Sequence, residues 1–144
     1  MDHSKLAAQL LDKLQSLHRA RPQKNIDEAL QGEAFVLHYM ARRTEDVQPG
    51  EIGAETGVSS ARVAQTLNSM EKKGQITRQI DVDDRRRILV RLTPEGRSAA
   101  EAHLRHVLGL VSKILGLLGE ADAREYVRIT GKLADILSAN DGQS

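Results

Sequence analysis

Leu6, Leu10, Leu14 and Leu17 recur at three- and four-residue spacing, so residues 4 to about 20 read as an amphipathic helix. Pro22 and the polar stretch to Asn25 are expected to end it. A second helical run covers Ile26 to Thr44, with Leu30, Phe35, Leu37 and Met40 as its apolar positions and Gly32 as a weak point. Gln48-Pro49-Gly50 is a turn signal, with Pro49 where a helix can start. Two short helical pieces follow. Glu51 to Thr56 is the first, and Gly57-Val58-Ser59 is the break. Ser59 or Ser60 then caps a helix running to about Lys73, with Val63, Leu67 and Met70 facing inward. Gly74 follows Lys72 and Lys73, where a helix-ending glycine belongs.

Beyond Gly74 the period changes from helical to alternating. Ile76, Arg78 and Ile80 alternate, and so do Ile88, Val90 and Leu92. Between them lies the polar run Asp81-Val82-Asp83-Asp84-Arg85-Arg86-Arg87, so the segment predicts a β-hairpin with a projecting tip. Thr93-Pro94-Glu95 opens another helix with a cap, a first-turn proline and a first-turn acid. Its apolar stripe runs through Ala100, Leu104, Val107, Leu108, Val111, Ile114, Leu115 and Leu118, and Leu110 and Leu117 widen it. A last helix is expected from Glu120 to Ser138, with Tyr126, Ile129, Leu133, Ile136 and Leu137 on one side and a frayed tail after it.

Composition narrows the class. The 144 residues suit one domain, and 40% apolar with 28% charged residues is ordinary for a globular chain. Phe35, Tyr39 and Tyr126 are the only aromatics, which favours helices over a sheet-rich core. The absence of cysteine excludes disulfides and thiolate metal sites. No apolar signal core follows Met1, and no run approaches the ~20 apolar residues that span a bilayer, so a cytoplasmic setting with no membrane partner is expected. Net charge is only +1. The middle third of the chain alone is basic, by a small excess, so function must be read from pattern rather than bulk charge.

Helix, glycine turn, helix and hairpin, in that order, make a winged helix-turn-helix. The second helix is of a length that fits the major groove and presents side chains to base edges. Arginines at a hairpin tip suit a narrow minor groove, where negative potential is concentrated. The fold class expected is therefore mainly α with a small β-wing.

The residues themselves resemble the MarR family (multiple antibiotic resistance regulators). The resemblance rests on Pro49-Gly50-Glu51-Ile52, Gly57-Val58-Ser59-Ser60-Ala61-Arg62-Val63 and Leu67-Asn68-Ser69-Met70-Glu71-Lys72-Lys73-Gly74. Asp84-Arg85-Arg86-Arg87 followed by Leu92-Thr93-Pro94-Glu95-Gly96 matches the family's wing signature, and the motifs together span residues 49–96. The resemblance implies a homodimer. Residues 1–25 and 97–138 would be dimerisation helices, 26–96 the winged lobe and 139–144 a frayed tail, all in one domain. The partner it implies is double-stranded DNA carrying a palindromic operator, bound as a transcriptional regulator, with repression the expected sign.

Carried over residue by residue, the resemblance places Ser59 and Ser60 at the start of the recognition helix near a phosphate. It places Ala61, Arg62 and Gln65 on the base-facing side, where Arg62 can bond guanine and Gln65 adenine. Arg85, Arg86 and Arg87 form the wing tip, with Asp84 bracing Arg86. Ser69 joins the DNA-binding set. Many family members are basic at the positions of Gln65 and Ser69, so this helix is the less cationic. A small-molecule effector would sit between the dimerisation helices and the DNA-binding lobe, with Leu14, Phe35, His38 and Tyr39 as candidate lining. No cofactor and no resident metal are expected.

Other readings stay open. Arg85–Arg87 taken alone is a solvated charge run. Asp81, Asp83 and Asp84 suggest a metal cluster, although a brace for the arginines accounts for them better. His103 and His106 share a helix face and, with Glu101 or His38, suggest a metal-responsive regulator, against surface or interface histidines. The same histidines with Glu101 are the material for a small enzyme, but no nucleophile turn or phosphate-binding glycine loop accompanies them. A winged-helix protein–protein interaction module is the remaining alternative.

Overall fold

A computed structural model describes residues 2–142 of the chain. The chain runs α1 (Ser4–Arg19), α2 (Arg21–Ala29), α3 (Glu33–Ala41), α4 (Pro49–Thr56), α5 (Ser60–Lys72), β1 (Ile76–Ile80), β2 (Ile88–Leu92), α6 (Pro94–Leu118) and α7 (Glu120–Asp141). It is mainly α with a two-stranded antiparallel wing, as the sequence predicts. Residues up to Val107 form one compact unit and residues from Leu108 on form another.

The first half departs from the expectation in two places. Residues 22–25 are not a loop after α1; they are the opening turns of α2, and the boundary expected between residues 25 and 26 falls inside that helix. The break comes earlier, at Ala20, which is extended. Pro22 sits in the first turn of α2, where its missing N–H costs nothing because first-turn N–H groups have no intrahelical partner. The long run from Ile26 to Thr44 is two helices, not one. Gly32 takes φ +62°, a left-handed value that glycine adopts without strain, and α3 begins just after it.

The first unit has a single apolar core. Val36, Leu37 and Met40 of α3, Ile52 of α4, and Val63, Leu67 and Met70 of α5 enclose Ile76, Val90 and Ala100. Burying a side chain of this size stabilises by about 1.5–3 kcal/mol, so α5 is anchored along its whole inner face. Val47 adds a short antiparallel bridge to Val90, with N–H···O distances of 3.1 and 2.7 Å, and so ties the segment before α4 to the wing. In the wing, Ile76 pairs with Leu92, Arg78 with Val90 and Ile80 with Ile88.

The terminal helices are unlike the core. In the first unit, α1 buries none of its residues, and Leu6, Leu10, Leu11, Leu14 and Leu17 are all exposed. In the second unit, α7 likewise buries none, and Ile129, Leu133, Ile136 and Leu137 lie about half exposed. Helix α7 extends to Asp141, so the tail expected to fray from residue 139 is helical through that point; Gln143 and Ser144 lie outside the described residues. Among the described residues no helix is long and apolar enough to cross a membrane.

Candidate nucleic-acid interface

Helix α5 is built at both ends for a fixed orientation. Ser59 is its N-cap, and the Ser59 hydroxyl accepts a hydrogen bond from the Arg62 N–H at 3.2 Å. At the other end Gly74 takes φ +75°. The Gly74 N–H donates to the Glu71 carbonyl and the Gln75 N–H to the Met70 carbonyl, both at 3.0 Å, which satisfies carbonyls the helix leaves open. The turn ahead of α5 uses Gly57 at φ +69°, whose N–H closes on Gly53.

The periodicity of α5 separates its two sides. Val63, Leu67 and Met70 are buried, while Ser60, Ala61, Arg62, Gln65 and Asn68 are exposed. Ser59, Ser60, Ala61, Arg62 and Gln65 therefore stand on the open side of an anchored helix. Among the described residues the Arg62 guanidinium has no ion-pair partner. Ser69 is half-buried at the border of that face, and its side chain contributes to lowering the Glu33 carboxyl on α3. Glu33 also pairs with Lys73 at 2.6 Å. Together these two side chains, with Lys73 the larger influence, hold the Glu33 carboxyl below its ordinary value.

The wing tip is ordered by its own polar groups. The Asp81 N–H donates to the Arg87 carbonyl and the Arg87 N–H to the Asp84 carbonyl. Asp84 receives the Arg86 guanidinium at 3.1 Å and Arg87 at 3.3 Å. The side-chain hydrogen bond from Arg86, then the Arg86 backbone N–H, lower the Asp84 carboxyl. Asp84 is thus a brace for two arginines rather than one, and Arg85, Arg86 and Arg87 are all exposed. Asp81 is engaged in a turn with the Asp83 N–H.

Two bidentate ion pairs, neither legible in the sequence, join the wing to the rest of the lobe. Arg78 of β1 grips Glu71 near the end of α5 through two bonds of 3.2 Å. Arg91 of β2 grips Asp46 at 2.7 and 2.8 Å. Both carboxyls are lowered, chiefly by these hydrogen bonds. No local period links residues 46 and 91, so only the fold could bring them together.

The candidate effector residues are divided. Phe35, His38 and Tyr39 line one cavity of about 320 Å³ with Arg42, Arg43 and Glu55. Phe35 also lines a cavity of about 460 Å³ whose wall includes Ile52, Val58, Arg62 and Val63. Leu14 is not with them; it lies in a groove with Leu17, His18, Gln23 and Asp27 between α1 and α2. Tyr39 stacks on Phe35, lies under the Arg43 guanidinium and donates its hydroxyl to Glu51. His103 bonds through Nε2 to the Ala29 carbonyl, which commits that nitrogen to the end of α2. Among the described residues no group of three or more His, Asp or Glu is arranged to hold a metal ion.

Comparison with known proteins agrees with this geometry. The winged helix DNA-binding domain family matches residues 33–111, from the start of α3 into α6. The chain is 29% identical over 140 residues to the uncharacterized HTH-type transcriptional regulator YwhA of Bacillus subtilis (strain 168), covering 93% of this chain and 99% of that protein. The X-ray crystal structure of the YusO protein from Bacillus subtilis superposes with a TM-score of 0.72 at 25% identity, over 94% of this chain and 99% of that one. The structure of Streptococcus pneumoniae FabT in complex with DNA shares the fold at 23% identity, with a TM-score of 0.62 over 99% and 100% of the two chains. With its anchored α5, its braced wing and these relatives, the chain belongs to the winged helix DNA-binding domain family and is a winged-helix transcriptional regulator of the MarR type.

Proposed function

We propose that the protein binds a palindromic DNA operator as a homodimer, with α5 of each copy in the major groove and each wing in a flanking minor groove. The observation that carries this reading is the open face of α5. Ser60, Ala61, Arg62 and Gln65 project from a helix whose opposite side is locked into the core. Arg62 reads guanine and Gln65 adenine. Ser59 and Ser60 meet a phosphate at the helix start. Arg85, Arg86 and Arg87 supply charge for the minor groove, with Asp84 fixing Arg86 and Arg87 in place. Solution of FabT in complex with DNA supports placing this fold on a duplex.

The exposed leucine face of α1 and the exposed apolar face of α7 support dimerisation, each being the kind of surface a second copy covers. On this reading residues 1–25 and 97–138 supply dimerisation helices and residues 26–96 the winged lobe. A dimer seated on an operator represses by occupying the promoter. The cavity at Phe35, His38 and Tyr39 accepts a small-molecule effector, which works only by binding the DNA-competent and DNA-incompetent states unequally.

A selection experiment tests the reading. Wild type and an Arg62→Ala, Arg86→Ala double variant are each offered a library of palindromic duplexes and random DNA at fixed salt. Selection of a palindrome by the wild type alone supports the assignment. An unselective wild type, or an equally selective variant, refutes it.

A further inference from the structure

We infer that the Glu71–Arg78 ion pair is a positioning device that fixes the height of the wing over the recognition helix. The inference rests on the DNA-binding reading for its consequence, but not for its geometry. Helix α5 and strand β1 are joined by only Lys73, Gly74 and Gln75, and Gly74 is in the left-handed region. Bonds from Thr93 to the Gly74 and Gln75 carbonyls hold this turn, so the freedom left to the wing lies beyond it. Ile76 and Val90 pin the base of the hairpin in the core, but Gln79, Ile80 and Ile88 are exposed and the tip lies beyond them.

Glu71 lies three positions before Gly74 and Arg78 four positions after it. Two parallel N–H···O bonds of 3.2 Å close the bracket. Among the described residues no hydrogen bond or ion pair further out along the wing reaches the rest of the lobe. Strand β1 is five residues long, about 16 Å at the usual rise. A swing of about 10° at its base would therefore move the tip by about 3 Å. Contact geometry at a functional site tolerates roughly 0.5 Å. Asp46 and Val47 hold the wing through β2 and the bracket holds it through β1, so without the bracket the arginines held by Asp84 would be aimed from one strand only. A guanidinium fork suits this task because its planar, two-bond grip resists rotation as well as translation.

The chain has no cysteine, so two spin labels can be placed cleanly. Labels at Ala64→Cys on α5 and Val82→Cys on the wing tip report the distance between them. Labelled chain is diluted with excess unlabelled chain so that pairs within one copy dominate. The expected result is one narrow distance in the parent, a broadened or displaced one with Arg78→Gln, and recovery in the charge-swapped Glu71→Arg, Arg78→Glu variant. Arg78→Gln distances that superimpose on the parent would overturn the inference, and so would a folded charge swap that fails to recover.

Footprinting on the selected duplex reads the consequence. Arg78→Gln should lose minor-groove protection and about tenfold or more in affinity while keeping guanine N7 protection under the recognition helix. Equal loss of both protections would show a general destabilisation and overturn the positioning role. If the parent gives no footprint, the DNA-binding reading fails by itself, and the label distances still decide whether the pair sets the wing.

Discussion

The carbonyl oxygen of Gln75 lies against Gly96 so closely that a side chain there has no room: a Cβ on Gly96 would be 1.9 Å from it. Around this contact Thr93 makes three bonds. Its N–H donates to the Gln75 carbonyl at 3.0 Å, its hydroxyl donates to the Gly74 carbonyl, and that hydroxyl oxygen accepts the Gly96 N–H at 3.0 Å. The Leu-Thr-x-x-Gly motif is therefore the joint where α6 closes onto the turn that ends α5. Gly96→Ala should cost about 3 kcal/mol or more, because the obstacle is backbone and not a side chain that can turn aside. Equilibrium denaturation measures this; a loss below about 1 kcal/mol would mean the joint opens freely.

Ser69 separates the stability of α5 from its proposed reading of DNA. It is half-buried, and its side chain helps lower the carboxyl of Glu33, which pairs with Lys73. Ser69→Ala should lower stability by about 1 kcal/mol, the usual net worth of a hydrogen bond, and leave the selected DNA sequence unchanged. A changed base preference in the selection experiment, with stability intact, would return Ser69 to the DNA-reading face.

The exposed faces of α1 and α7 give a test of assembly. Leu133 on α7 is 55% exposed and Leu10 on α1 is 59% exposed in the single chain. Leu133→Glu or Leu10→Glu should leave the core around Met70 intact and convert the proposed dimer to a monomer in sedimentation. Each leucine removed from an interface forfeits about 1.5–3 kcal/mol per copy, and an unpaired charge adds to the loss. A dimer that persists unaltered in both variants would place the interface elsewhere.

Acid should loosen the lobe in a defined window. Glu33, Asp46 and Glu71 all have carboxyls lowered below their ordinary values of 4.5, 3.8 and 4.5, chiefly by hydrogen bonds from Lys73, Arg91 and Arg78 respectively. A group lowered in the folded state contributes its full stability above the unfolded value and loses it as pH falls through the folded one. The thermal midpoint should thus change little between pH 7 and about 5.5 on account of these groups, and fall below about pH 4. A triple variant with Gln or Asn at the three positions should be less stable at neutral pH and show a flatter acid limb. An identical acid limb in that variant would show that other carboxyls carry the effect.

The sequence by itself determined the elements that local rules govern. The Val63, Leu67 and Met70 period marked the inner face of α5, the Ser59 cap and Gly74 marked its ends, and alternation from Ile76 to Leu92 marked the wing. Each of these follows from residues within one or two turns of each other. Pro22 and Gly32 misled because both residues punctuate a chain without saying on which side the helix lies. Only the tertiary structure decided that proline opens α2 and that Gly32 divides α2 from α3. It alone paired Val47 with Val90, Asp46 with Arg91 and Glu71 with Arg78, turned Ser69 toward Glu33, and separated Leu14 from Phe35. These pairings depend on which segments the core brings side by side, and a spacing of 45 residues, as between Asp46 and Arg91, leaves no period in the sequence to reveal them.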